Sequence, residues 1–189
     1  CFSKIIEPNL ILESGVWKGN STYILEKSLI KNSQLTCFDL DYSTLIYKSQ
    51  NAKYICQDIE DHFKNEELTS YKKILVFFDD HCPHLQRLSF SIKNNINYIV
   101  FDDDYSHLTI HSHGFPPIPT ISMIINEYNL PNKFSWKSFA RTGFADFDIG
   151  NLKEVVSNDY FYFTAPDLFE LTGYLNQSPI SFLVKKFNL

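Results

Sequence analysis

The sequence predicts an α/β domain: a doubly wound, mostly parallel sheet with helices on both faces and antiparallel strands at its C-terminal end. Three observations predict it. Short apolar runs alternate with longer amphipathic segments, the pattern of strands and crossover helices that builds a parallel sheet. Each of the first five apolar runs ends in an acid. After Lys133 the alternation gives way to aromatic-rich extended segments. The 189 residues suffice for one domain with a sizeable core, and residues 1–189 are read as a single domain.

The five runs are Leu10–Glu13, Leu35–Asp39, Tyr54–Gln57, Lys73–Phe78 and Tyr98–Phe101. Runs of this length, rich in Ile, Val and Phe, suit strands buried on both faces. Between them, helices are expected at Ser21–Lys31, Tyr42–Gln50, Asp61–Ser70 and Pro83–Lys93. A further helix is expected over Pro117–Tyr128, with Pro near its start and Asn129 and Pro131 beyond its end. Lys133–Ala140, Tyr160–Thr164 and Ile180–Phe187 read as strands closing the same sheet, with a short helix at Asp167–Tyr174.

Composition narrows the function classes. Hydrophobic residues make up 44% and charged residues 21%, a globular balance. A net charge of −5 gives no support for a nucleic-acid surface. No apolar run reaches the roughly 20 residues that a spanning helix needs, so no membrane partner is expected. The start, CFSKIIEPNL, has no secretory signal pattern, and opening at Cys1 without Met reads as a fragment or processed chain. The four cysteines form no CxxC and no zinc spacing, which points to a reducing, cytoplasmic setting.

The acids carry the chemistry. Glu13 ends the first run, Asp39 and Asp41 follow the second, and Asp58 follows the third. Asp79 and Asp80 follow the fourth, and Asp102, Asp103 and Asp104 the fifth. Open α/β sheets bind ligands outside the carboxyl ends of their strands. Any one such acid is ordinarily a helix cap or turn residue; five in succession form a rim of like charge that calls for a cationic or hydrogen-bonding occupant. After the second strand, Asp39 is placed to accept both hydroxyls of a ribose. After the third, Asp58 is placed to meet an adenine amino group, with Ile59 packing on the ring. The clusters after the fourth and fifth strands suit a hard divalent cation such as Mg²⁺. In ILESGVWKGNST, Gly15 permits a sharp turn and Gly19 a close approach to a ligand. Ser21 and Thr22 would lie in the first turn of the next helix, where free N–H groups favour an anion.

These segments together, ESGVWKGNST, FDLD, CQDIED, LVFFDDH and IVFDDDY, resemble the class I S-adenosylmethionine (SAM)-dependent methyltransferases. The resemblance runs from Pro8 to Tyr128 and is nearest to the metal-dependent sugar O-methyltransferases and the related cephalosporin hydroxylase group. It implies a Rossmann-like methyltransferase fold, SAM as cofactor, Mg²⁺, and a small hydroxylated, sugar-like acceptor. It implies cofactor contacts at Glu13, Gly15, Gly19, Ser21, Thr22, Asp39, Asp58 and Ile59. It also implies a metal ligand, and a candidate base, at Asp79, with two further ligands among Asp102, Asp103 and Asp104. Counting from the strand favours Asp102 and Asp103; matching DDY favours Asp103 and Asp104. Strand ends fix position, so Asp102 and Asp103 are taken.

Methyl transfer needs an aligned nucleophile and a proton acceptor. Metal coordination lowers the pKa of a hydroxyl, and Asp79 or His81 would take its proton. Arg141, with Phe139 and Phe144 nearby, and the loop His111–Pro119 are candidate acceptor contacts. Two other readings compete. CFDLDYSTL also resembles the haloacid-dehalogenase phosphatase motif, with Asp39 as nucleophile and Asp41 as acid/base; in that family, however, the motif usually opens the fold. The other is a methyltransferase fold that binds without catalysing.

Overall fold

The computed structural model describes residues 2–64, 68–109, 115–126, 130–137, 142–165 and 179–186. The elements run in the order α1 (Phe2–Ile6), β1 (Leu10–Ser14), α2 (Asn20–Ser28), β2 (Gln34–Asp39), β3 (Ala52–Cys56) and α3 (Ile59–His62). Then come β4 (Ile74–Phe78), α4 (His84–Lys93), β5 (Tyr98–Phe101), α5 (Ile121–Asn126), β6 (Lys133–Lys137) and β7 (Thr142–Asp146). The chain ends with α6 (Leu152–Asp159), β8 (Tyr160–Thr164) and β9 (Ser181–Lys185).

Seven strands form one sheet in the order β3-β2-β1-β4-β5-β9-β8. β1 pairs parallel with both β2 and β4, and β2 pairs parallel with β3. β8 and β9 are antiparallel to each other. All five residues of β1 are buried, and so are four of five in β4. Successive side chains of a strand point to opposite faces, so these strands are covered on both. The expected mostly parallel α/β sheet with an antiparallel C-terminal end is therefore the observed one.

The chain divides into two compact units: Cys1–Asp80 with Phe90–Ile99, and His81–Ser89 with Val100–Leu189. In the first, Leu10, Ile11 and Leu12 pack with Leu35, Phe38, Leu75, Val76 and Phe78, all nearly inaccessible to solvent. Phe63 lies between Phe38 and Phe90, with ring centroids 5.7 and 6.2 Å away. Fully burying each such side chain contributes about 1.5–3 kcal/mol. In the second unit, Ile118, Met123 and Ala145 are the buried centre of a cluster that Leu130, Phe134, Trp136 and Phe147 complete.

Several expected elements differ. No helix forms over Tyr42–Gln50. Asp41 instead accepts the Ser43 N–H (2.8 Å) and hydroxyl (2.7 Å), and the Ile46 and Tyr47 N–H groups donate to Lys18 O. Short polar side chains that satisfy nearby backbone compete with helix in this way. The helix expected at Asp61–Ser70 is the single turn α3, starting at Ile59; residues 65–67 lie outside the described residues. α5 begins at Ile121, because Pro116, Pro117 and Pro119 disfavour helical backbone at the residues before them. There the Thr120 hydroxyl accepts the Met123 N–H. β6 does not join the main sheet but pairs antiparallel with β7 in a separate two-stranded sheet. The expected helix at Asp167–Tyr174 lies outside the described residues. Among the described residues, no helix is long and apolar enough to cross a membrane.

Gly15 adopts a φ of +89°, and a Cβ there would lie 2.1 Å from the Asp79 carbonyl oxygen. Both the backbone angle and the contact exclude a side chain. Gly15→Ala is expected to destabilise the protein by about 2–4 kcal/mol in urea unfolding.

Candidate functional site

The parallel register sets Ser14 level with Phe38 and Phe78, and Asp39 level with Cys56. The carboxyl ends of β1 to β4 therefore form one rim in the first unit, and Glu13, Asp39, Asp58, Asp79 and Asp80 stand at it. In the second unit, Asp102, Asp103 and Asp104 follow β5.

Asp39 organises the turn after β1. Its Oδ2 accepts the N–H groups of Val16 (2.8 Å) and Trp17 (3.0 Å), and its Oδ1 accepts that of Asp41 (3.1 Å). A carboxylate offers about four lone-pair sites, so these bonds leave room for about one more donor. The expectation that Asp39 takes both hydroxyls of a ribose does not fit that count; one hydroxyl does. The bonds also hold Trp17, at φ +45°, in left-handed backbone with its side chain exposed.

Other expected residues lie deeper. Glu13 is inaccessible; its Oε2 accepts the Thr22 hydroxyl at 2.6 Å, and its Oε1 meets no donor among the described residues. Burial pushes its carboxyl above the usual range, and the Ser21 and Thr22 hydroxyls and the Cys37 thiol oppose this only in part. Thr22 is itself fully buried, so it secures α2 to β1 and presents nothing outward. Ile59 is fully enclosed in the core, with no surface for a ring to pack on. Gly19, at φ +87°, stands just before α2, and a Cβ on it would meet the Tyr47 carbonyl oxygen at 2.3 Å. Its close approach is to protein backbone, not to open space. Ser21 lies in the first turn of α2, partly exposed. Asp58 caps α3, accepting the Glu60 N–H at 2.8 Å. Sequence reasoning missed the Ser14 hydroxyl, which donates to Asp80 Oδ2 at 2.5 Å.

In the second unit the three consecutive acids separate. Asp104 is buried; its Oδ1 accepts the Ser122 N–H (2.7 Å), and its Oδ2 accepts the hydroxyls of Ser122 (2.7 Å) and Ser181. Burial would raise its pKa, but bonds such as those from the Ser122 N–H and the Ser181 hydroxyl outweigh that and hold it below the ordinary value. Its oxygens face protein donors. Asp103, 4% exposed, places Oδ2 3.1 Å from His81 Nδ1. Burial, with the charge of Asp103 adding to it, pushes Asp102 up to about 6. His84 is buried, with Nδ1 accepting the Ile121 N–H at 3.2 Å. Its place is structural, at the start of α5. Phe139, Arg141, His111 and His113 lie outside the described residues, and Phe144 is exposed on β7.

No family model and no curated protein matches the chain. Solved structures do match. The O-methyltransferase TomG from Streptomyces achromogenes, in complex with SAM, aligns with 98% of this chain and 77% of its own at 11% identity and a TM-score of 0.60. The O-methyltransferase from Bacillus cereus, in complex with S-adenosylhomocysteine (SAH), aligns with 97% and 77% at 13% identity and a TM-score of 0.54. CmcI-N160 aligns at 17% identity and a TM-score of 0.45, over 54% of this chain and 48% of its own, so the chain spans about half the length of that protein. At these identities the likeness to TomG and the Bacillus cereus enzyme establishes the fold: the chain has the Rossmann-like fold of class I methyltransferases.

Asp102 generates a pH prediction. Its ordinary value is 3.8 and its folded value is about 6, so the folded protein binds the proton more tightly than the unfolded chain. The stability this gives is full below about pH 4 and is lost as pH rises through about 6. In metal-free protein, Asp102→Asn should gain on the wild type by about 2–3 kcal/mol between roughly pH 4 and pH 7, read by urea unfolding at each pH.

Proposed function

We propose that this chain is a SAM-dependent O-methyltransferase acting on a small hydroxylated, sugar-like acceptor with the help of Mg²⁺. The observation that carries the reading is the rim of carboxylates at the in-register ends of β1 to β4, beside a tight turn held by one of them. Ligands of open α/β sheets bind at such rims. The fold shared with TomG and the Bacillus cereus enzyme supports it.

The residues fit an adenosyl sulfonium in charge and in donor–acceptor chemistry. Asp39, with about one acceptor site left, and Asp58 would hold the nucleoside end. The turn from Gly15 to Gly19 and the partly exposed Ser21 would hold the amino-acid end. Glu13, Thr22 and Ile59 support that turn and α2 from beneath. When bound, the cofactor supplies an electrophilic methyl group.

Asp102 and Asp103 would hold Mg²⁺, whose chemistry there is to acidify a coordinated hydroxyl. Asp79 is carried forward as the third ligand on its sequence position. His81 is 45% exposed and directs Nδ1 at Asp103. If that nitrogen carries the proton, Nε2 is the basic one and takes the proton of the acceptor hydroxyl. The phosphatase reading is disfavoured by the same geometry. It needs Asp39 as a nucleophile, yet three backbone N–H groups already occupy that carboxylate.

Calorimetric titration with SAH tests the cofactor placement. The wild type should bind, and Asp39→Ala should weaken binding by about tenfold or more, because the turn loses its tie as well as the ligand an acceptor. Unchanged affinity in the Asp39→Ala, Asp58→Ala double variant would remove the proposed site.

A further inference from the structure

His81 and Asp103 share an uncommon feature. Both are non-glycine residues in left-handed backbone, at φ +55° and +56°, and they meet each other, Nδ1 to Oδ2, at 3.1 Å. Each such residue costs about 1 kcal/mol or more and persists only where its surroundings over-determine it. For Asp103 the surroundings include its own N–H, which donates to Asp102 Oδ1 at 2.9 Å, and the next residue.

Asp104 is fixed on every side. Its N–H donates to Pro179 O at 2.9 Å, just before β9. Its Oδ1 takes the Ser122 N–H at the start of α5, and its Oδ2 takes the hydroxyls of Ser122 and Ser181. The Tyr162 hydroxyl of β8 stands 3.4 Å from Oδ2. One residue on, Tyr105 N–H donates to Asp103 O at 2.8 Å, and Tyr105 O accepts the Thr120 hydroxyl at 2.7 Å. The peptide links either side of Asp104 are thereby set on one side of Asp103, and the Asp103 N–H bond to Asp102 holds the link on the other.

We propose that Asp104 is a positioning residue: anchored to α5, β8 and β9, it forces Asp103 into the conformation that presents its carboxylate to His81. The functional value of that presentation rests on the methyltransferase reading; the positioning itself does not. The alternative is that Asp104 only secures α5 and β9, in which case its loss leaves the His81–Asp103 contact intact.

Imidazole ¹⁵N NMR of the full chain, metal-free and at one fixed pH, separates the two. In the wild type, His81 should show one tautomer with Nδ1 protonated and hydrogen-bonded. Asp104→Asn keeps the shape but turns an amide donor towards hydroxyl donors. It should convert His81 to the mixed-tautomer pattern of a free imidazole in water, with the His62 signals unchanged. In the same variant, Mn²⁺ affinity should fall by about tenfold or more while SAH affinity holds within about twofold. A folded Asp104→Asn protein with wild-type His81 signals overturns the proposal. Should that variant fail to fold, the Ser181→Ala, Tyr162→Phe double variant decides: an altered His81 pattern supports the proposal and an unaltered one overturns it. Absent SAH binding in the wild type would count against the methyltransferase reading, with the His81 pattern still deciding this one.

Discussion

The bond between the Asp39 carboxylate and the N–H groups of Val16 and Trp17 is the constraint on which the first unit's rim depends. It joins the turn after β1 to the end of β2, and Gly15 adds a bond of its own to Phe38 O at 2.9 Å. Hydrogen bonds to a charged acceptor contribute about 1.5–3 kcal/mol each. Two of them exceed the cost of holding Trp17 left-handed, so the turn has one conformation. With that turn fixed, α2 starts at a defined place, and Glu13 secures it from below through Thr22.

The second unit uses an acid in the same way. Asp104 gathers donors from α5 and β9 as Asp39 gathers them from the turn after β1. In both units an acid at or just past the end of a strand spends most of its acceptor capacity on architecture. The neighbours it holds, Trp17 in one unit and Asp103 in the other, sit in left-handed backbone. Strain is thus placed beside the acids that stabilise it. Asp102 and His81, left more accessible, are the groups on which the proposed function draws.

The strands were legible because Ile, Val, Leu and Phe runs bounded by polar residues have few other ways to be buried. The helix expected over Tyr42–Gln50 was not legible as a loop. Its composition allows a helix, and only the tertiary position of Lys18 O and the Asp41–Ser43 turn decide against one. The strand expected at Lys133–Ala140 lies in a separate sheet, because an extended aromatic pattern says that a strand forms, not which strand it joins; its partner β7 carries no such pattern and is not expected from the sequence. The site shows the same division. That acids would stand at strand ends was readable from spacing. Which of them face a ligand was not, because a cap, a turn acceptor and a ligand contact use the same carboxylate. Asp39, Asp58 and Asp104 differ only in the donors that the fold brings to them. Gly19 was read as a ligand approach and is an approach to Tyr47 O, for the same reason.

The central claim is that the rim at the ends of β1, β2 and β3 holds an adenosyl ligand. Backbone amide NMR of the full chain during titration with SAH tests it most directly. The account predicts that the amides of Gly15 to Thr22, Asp39 to Asp41 and Asp58 to Glu60 shift together and saturate with one affinity, while those of β6 and β7 stay still. Saturable shifts elsewhere with these amides unmoved, or no shifts at all, would contradict it.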